Sequence, residues 1–385
     1  MSAPLDGITI VDLTHVLAGP YASMTLADLG ARVIKVEKPG EGDDTRAFPP
    51  FKGVESAYFA AINHGKESIA LDLKNDEDRI VFERLMEHAD VLLENYRPGV
   101  MERLGYGWDA LHARFPSLIY GAVSGFGHSG PDAQRPAYDM VVQARGGVMS
   151  ITGERNRDPV RVGASIGDIA AGMFLAQGVL AALLEVKKTG LGQKVDVAML
   201  DSQLALLEHA IAITSVTGEA PRPSGARHPS ITPFETFHAE DCLFVIAAGN
   251  DALFAKLCTA LELPLAADKR FATNPARCEN ARLLKRLIEA VTIDRPAAHW
   301  ITHLTEAGIP TGPIQDVAQV LKDPQIKARN MVVDVLDEDG QPAYTAAGNP
   351  IKLSGLADPT TRGPAPRLDG NRDAILQWLE LQANR

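Results

Sequence analysis

The 385 residues include 10 histidines, 3 cysteines and 49 acidic side chains, and their spacing decides which of them could take part in chemistry. Asp168 is the most distinctive. It sits in Gly163-Ala164-Ser165-Ile166-Gly167-Asp168-Ile169-Ala170-Ala171-Gly172, at the head of a long apolar stretch. Spacing alone reads it as the N-cap of a helix, its carboxylate accepting backbone N–H groups. The positive end of a helix dipole also favours the ionised carboxylate, which is the form a nucleophile needs. At this level the cap is the preferred reading, and the two roles are compatible.

Most other candidates read as structural. His15, His64, His128 and His228 fit surface or packed histidines, although His15 and His228 lie in segments from which a side chain can approach a substrate. Tyr138, in Pro136-Ala137-Tyr138-Asp139, fits a half-buried core tyrosine. Lys38, Lys74 and Arg103 fit solvated surface cations. No set of His, Cys and carboxylates has metal-ligand spacing, so no metal is expected. Gly125-Phe126-Gly127-His128-Ser129-Gly130-Pro131 is glycine-rich, but its spacing and its proline do not fit a dinucleotide turn. No Walker A sequence, HExxH pair or GxSxG elbow with plausible context appears either, which argues against nicotinamide and ATP chemistry.

The elements that must position these residues alternate between short β-branched runs and helical patterns, as in a parallel α/β sheet. Strands are expected at Ile8–Asp12, Arg32–Glu37, Ser68–Leu73, Val91–Leu93 and Leu118–Tyr120, with helices near Tyr21–Leu29 and Asp76–His88. Ligands bind outside the carboxyl ends of such strands. The loops His15–Pro20, Lys38–Arg46, Asn95–Arg103 and Ser124–Pro131 are therefore expected to share one site. A Pro- and Gly-rich stretch suggests a linker at 216–225. It separates a large domain, 1–215 completed by 326–385, from a smaller α+β domain at 226–325.

Composition is that of an ordinary soluble protein: 45% hydrophobic and 23% charged residues, with a net charge of -11. That charge argues against nucleic-acid binding. Cys242, Cys258 and Cys278 have no paired spacing and suit a reducing cytoplasm. The N-terminus lacks a signal-peptide pattern. The apolar segment Ile169–Leu184 is too short for a bilayer and fits a buried helix, so no membrane partner is expected.

One ordered series carries a family resemblance. Asp12–Pro20, Leu29–Glu37, Gly42–Arg46, Glu94–Gly99 and Gly163–Gly172 together resemble the family III CoA-transferases over nearly the whole chain. Within that family, Asn63–Ser68, Arg227–Pro229 and Pro233-Phe234 are most similar to the acetyl-CoA:oxalate group. The resemblance implies a Rossmann-like large domain, a smaller α+β domain and a homodimer of interlocked subunits. It implies no tightly bound cofactor, with coenzyme A or acyl-CoA entering as substrate.

The resemblance also implies roles. Asp168 would be the nucleophile that carries CoA as an aspartyl thioester, with the Tyr138 phenol beside it. Leu17, Ala18, Asn95, Tyr96 and Arg97 would line the CoA path, and Leu71, Asp72, Leu73 and Lys74 would lie near the adenine. Lys38, Lys74 and Arg103 would meet the nucleotide phosphates, with Arg46 and Lys66 in the same field. His15, Tyr138 and His228 would face the acyl end. Oxalate-specific relatives place Gln at Leu17 and Arg at Lys38. They also carry a glycine-only loop whose nearest counterpart here is Ala247-Ala248-Gly249-Asn250. An α-methylacyl-CoA racemase and a non-catalytic CoA-binding homologue are the alternatives. Racemase-like relatives carry a histidine in place of Tyr138, which favours transfer.

Overall fold

Six short runs become the strands of one parallel sheet in the computed structural model, which describes residues 3–337 and 339–383. They are β1 (Thr9–Asp12), β2 (Arg32–Glu37), β3 (Lys66–Ala70), β4 (Val91–Glu94), β5 (Ile119–Ser124) and β6 (Lys194–Ala198). Their spatial order is β3-β2-β1-β4-β5-β6, all parallel. This is the doubly wound order, and it reverses between β1 and β4. Arg32–Glu37 appears with its expected bounds and the other expected strands with shifted ends, and β6 is a strand that the sequence reading did not place.

The chain divides into two compact units. One comprises Met1–Met149, Arg161–Ala220 and Pro324–Arg385, and the other Ser150–Val160 and Pro221–Asp323.

In the first unit the strands are apolar on both faces because helices cover both. Ile10, Val33, Leu93 and Ile119 point into one core with α1 (Ala18–Asp28) and α3 (Ile166–Thr189). Their neighbours Val11, Ile34, Leu92 and Tyr120 point into the other, against Phe82, Leu85, Ile375 and Leu379. A short helix between α1 and α3, α2 (Asp139–Arg145), packs against α3.

Helix α3 is longer than the sequence suggested. Its 24 residues are long and apolar enough to cross a membrane, yet Ala171, Leu175, Ala176, Val179 and Ala182 are buried in the core beside the sheet. Gly172 permits its close approach to α1: a Cβ there would lie 2.5 Å from the Ala18 carbonyl oxygen. Gly172 is one turn beyond Asp168, so the start of α1 meets α3 next to that residue.

The second unit has its own three-stranded antiparallel sheet. It joins β7 (Phe234–His238), β8 (Leu243–Ala247) and β9 (Thr311–Pro313). Its core contains Phe237, Phe244, Phe254, Leu284 and Trp300. The small-residue turn Ala247–Asn250 leads into the helix Asp251–Ala260, where the Asn250 side chain accepts the Leu253 amide at 2.8 Å.

Candidate active site

A cleft of about 320 Å³ opens where the strand order reverses. Four loops line it: His15 after β1, Lys38 and Asp44 after β2, Leu71, Asp72, Leu73 and Lys74 after β3, and Tyr96 after β4. Three of the four loops expected at the site are therefore present, together with 71–74. The Ser124–Pro131 loop is absent from the lining. It is tied to β6 and the residues after it, through His128 N–H to Asp196 at 3.0 Å and Leu200 N–H to the Gly125 carbonyl at 3.0 Å.

The β1 and β4 loops are joined by one amide side chain. Asn95 accepts the His15 N–H at 2.9 Å and donates to the His15 carbonyl at 2.7 Å. Asn95 thus fastens the two sides of the reversal point without lining the cleft. The His15 ring lies 5.7 Å from that of Tyr96. Burial lowers the His15 pKa despite the nearby Asp43 and Asp44, which favours a neutral imidazole. Burial and the charge of Glu94 raise the Tyr96 phenol to about 12. Glu94 itself is pushed up by burial to about 7.

The expected cations separate into two groups. Lys38 and Lys74 line the cleft and are exposed; Lys38 meets Glu41 at 2.6 Å. Arg97 and Arg103 are exposed but outside the lining. Lys66 and Arg46 are committed elsewhere. Lys66 is buried, 3.3 Å from Asp12 and 2.8 Å from Asn63 Oδ1, while Arg46 forms two hydrogen bonds to Glu37 at 2.7 and 2.6 Å. Neither is free to meet a phosphate, because a lysine or arginine buried in a protein spends its donors on carboxylates.

Asp168 occupies the third position of α3, with Ser165 as the N-cap residue. The N-cap reading is thereby corrected. The first-turn amide of Gly167 is instead taken by Asp139, at 2.8 Å. Asp139 also accepts from Gln143 at 2.7 Å, and Gln143 accepts the Val162 amide at 2.8 Å. Burial and then the Asp139 charge raise the Asp168 pKa to about 7. Its carboxyl is therefore held close to the boundary between acid and carboxylate near neutral pH.

Tyr138 is 77% exposed, and among the described residues its hydroxyl forms no hydrogen bond. Tyr58 is the phenol that senses the carboxylates: burial, then Asp168, Asp43 and Asp139, raise its pKa. Sequence reasoning missed Tyr58, Asp139 and Gln143, none of which stands in a reactive motif. The i,i+4 spacing of Asp139 and Gln143 was the one available signal. His228 belongs to the second unit, where its ring stacks on Phe234 with centroids 5.2 Å apart. Leu17 precedes α1 and Ala18 begins it, and the Ala18 carbonyl stands at the contact with Gly172.

Comparisons with known proteins agree on one family. The profile of CoA-transferase family III matches residues 5–372. An acetyl-CoA:oxalate CoA-transferase of Acetobacter aceti is 47% identical over 374 residues, covering 97% of this chain and 95% of that protein. A succinyl-CoA:mesaconate CoA-transferase of Haloarcula hispanica is 41% identical, covering 97% of this chain and 95% of that protein. A solved CAIB/BAIF family protein from Brucella suis superposes with a TM-score of 0.87 at 39% identity, covering 98% of this chain and 100% of that one.

Proposed function

We propose, for a chain that belongs to CoA-transferase family III, the reversible transfer of coenzyme A from a small acyl-CoA to a small carboxylic acid through Asp168. The observation that carries this reading is the Asp168 carboxyl. It is raised to about 7 by burial and by Asp139, and it lies one turn from the contact between α3 and the β1 loop that borders the cleft. Acetyl-, formyl- or succinyl-CoA would be the donor. Oxalate is the preferred acceptor, supported by the Acetobacter relative, which is named for it.

The chemistry balances without a cofactor. The ionised Asp168 oxygen attacks the thioester carbonyl, and collapse of the tetrahedral intermediate expels CoA thiolate and leaves a mixed anhydride. The thiolate attacks the aspartyl carbonyl of that anhydride, releasing the donor carboxylate and forming an aspartyl-CoA thioester. The acceptor carboxylate displaces the thiolate again, and the thiolate then attacks the acceptor carbonyl, regenerating Asp168. No net proton is consumed. Keeping water out conserves the thioester's free energy. The raised pKa fits this need, because a poorly solvated carboxylate is a stronger nucleophile than a hydrated one.

CoA would lie along the cleft, with Lys38 and Lys74 at its phosphates and Asn95 keeping the path open. Leu17 and Ala18 would guide the thioester toward Asp168. Arg103 and Arg97 would extend the positive field, and His15 and Tyr138 would meet the acyl groups. Residues 1–215 with 326–385 form the proposed CoA-binding domain and 226–325 the small domain. A second copy of the chain is the proposed partner. The helix Glu208–Thr217 has an apolar composition but no buried residue, and Val216 is 87% exposed, a surface that an interlocked homodimer would cover. The free thiols of Cys242, Cys258 and Cys278 suit a cytoplasmic setting.

A mass-spectrometric exchange screen tests the reading. Acetyl-, formyl- and succinyl-CoA are each mixed with oxalate, succinate, glutarate or acetate. The expected result is a new acyl-CoA, with CoA trapped on the Asp168 peptide, and its loss in Asp168→Ala with CoA affinity retained. Absence of product for every pair overturns the reading and moves racemisation of a branched acyl-CoA to the front.

A further inference from the structure

Val16 has a backbone φ of +66°, a conformation that crowds a β-branched side chain and that folded proteins keep only where surrounding contacts impose it. Its neighbours are tied residue by residue. Thr14 N–H reaches Asp12 at 2.9 Å, and the Thr14 carbonyl accepts from the Lys35 ammonium. His15 is held on both sides of its peptide by Asn95. The Val16 amide donates to Asp43 Oδ1 at 3.2 Å, the tie that grips the strained residue itself.

Asp43 is firmly placed to do this. The same oxygen accepts Thr45 N–H at 2.9 Å and the Thr45 hydroxyl at 2.7 Å. Its other oxygen lies 2.9 Å from the Lys35 ammonium, with both side chains buried. Lys35 thus grasps the β1 loop through Thr14 and the β2 loop through Asp43. A buried pair in this position orients more than it stabilises, because desolvation offsets most of the attraction.

We propose that Asp43, braced by Lys35, is a positioning residue for the transfer reaction. It clamps Val16 in the left-handed conformation, and this sets the path of the β1 loop from His15 in the cleft to Ala18 against the Asp168 helix. The inference rests on the proposed transfer, since its consequence is the alignment of a bound thioester with Asp168. Without the clamp, Val16 relaxes to an ordinary extended or helical conformation and the loop between His15 and Ala18 changes course. CoA still binds through the cleft, but its thioester no longer meets the carboxyl.

A double-mutant cycle between Asp43→Ala and Val16→Gly tests this, because glycine adopts a positive φ without a clamp. Asp43→Ala is expected to lower kcat about 30-fold with KM for acyl-CoA changed less than about threefold, and Val16→Gly in that background to restore about tenfold of kcat. If Asp43→Ala costs as much kcat in the Val16→Gly variant as in the unaltered protein, the proposal is overturned, as it is by a loss in KM alone. Should Asp43→Ala fail to fold, Asp43→Asn replaces it: it keeps an acceptor oxygen but loses the charge that Lys35 braces. A smaller kcat loss, again rescued by Val16→Gly, is expected, and no rescue overturns the clamp. Amide hydrogen exchange of the 13–17 peptide provides an independent reading. It should quicken about tenfold or more in the Asp43 variant, and unchanged exchange rejects the clamp. If the unaltered protein transfers no CoA while this exchange still quickens, the proposed reaction fails and the clamp survives.

Discussion

Asp139 holds the first turn of the helix that carries Asp168: its carboxylate accepts the Gly167 amide at 2.8 Å. From that position it adds to the effect of burial, and the Asp168 carboxyl rises from 3.8 to about 7. One acid thereby orders the backbone beside a second acid and, second to burial, raises the pH at which that second acid ionises. The arrangement differs from an N-cap, where the carboxylate nearest the helix start would satisfy the amides itself and have its pKa lowered.

The pH dependence of exchange follows from this pair. A nucleophilic Asp168 must be ionised, so kcat/KM should rise through about pH 7. Asp139→Asn keeps an oxygen for Gly167 but removes the repelling charge. The rising limb should then move down by about one pH unit, less than the whole shift because burial, the larger cause, persists. A limb that stays in place, measured between pH 5 and 9, would rule out Asp139 as a source of the shift.

The same raised pKa costs stability. In the folded state Asp168 holds its proton up to about pH 7, against 3.8 when unfolded. The folded protein binds more protons across that window, so this group's contribution to stability falls as pH rises through it. Asp168→Asn should therefore stabilise the protein at pH 8, by about 1–2 kcal/mol once solvent screening of the half-buried group is discounted. The gain should vanish near pH 4. Urea unfolding at the two pH values checks the sign, and a variant less stable at pH 8 contradicts it.

Gly172 ties the fold to the site. A methyl group there would stand 2.5 Å from the Ala18 carbonyl oxygen, and a backbone atom cannot move aside as a side-chain tip can. Gly172→Ala should destabilise the protein by about 1–3 kcal/mol through overpacking. It should also slow exchange more than it weakens CoA binding, since the helix carrying Asp168 is displaced from the β1 loop. Thermal unfolding together with kcat and KM separates the two effects.

Lys38 and Lys74 supply exposed positive charge at the cleft of an acidic protein. Replacing either with Ala should raise KM for acyl-CoA about threefold to tenfold and leave kcat unchanged. The salt dependence of KM should flatten in each variant, because fewer phosphate contacts remain to be screened. Lys66→Ala is expected to behave differently. It leaves the buried Asp12 without its 3.3 Å partner and should cost stability of about 3–5 kcal/mol.

Much of the framework was legible in the chain by itself. Arg32–Glu37 is a strand with the expected bounds, because β-branched runs and side-chain alternation are local properties. The family resemblance also pointed to Lys38 and Leu71–Lys74, which line the cleft. The fate of buried charge was not legible. Lys66 looks available for the phosphate field until β3 is laid beside β2 and the β1 end, where Asp12 lies 54 positions away in sequence. Arg46 looks available for a phosphate until Glu37 is seen to occupy it. Lys194–Ala198 carries two charged residues and gains its place as a strand from pairing with β5. Hydrophobic periodicity is written over a few neighbouring residues, and sequence alone determines it. Ion pairing and pKa depend on which distant groups share a desolvated space, and only the tertiary structure decides that, because burial strengthens electrostatic interactions that water would otherwise screen.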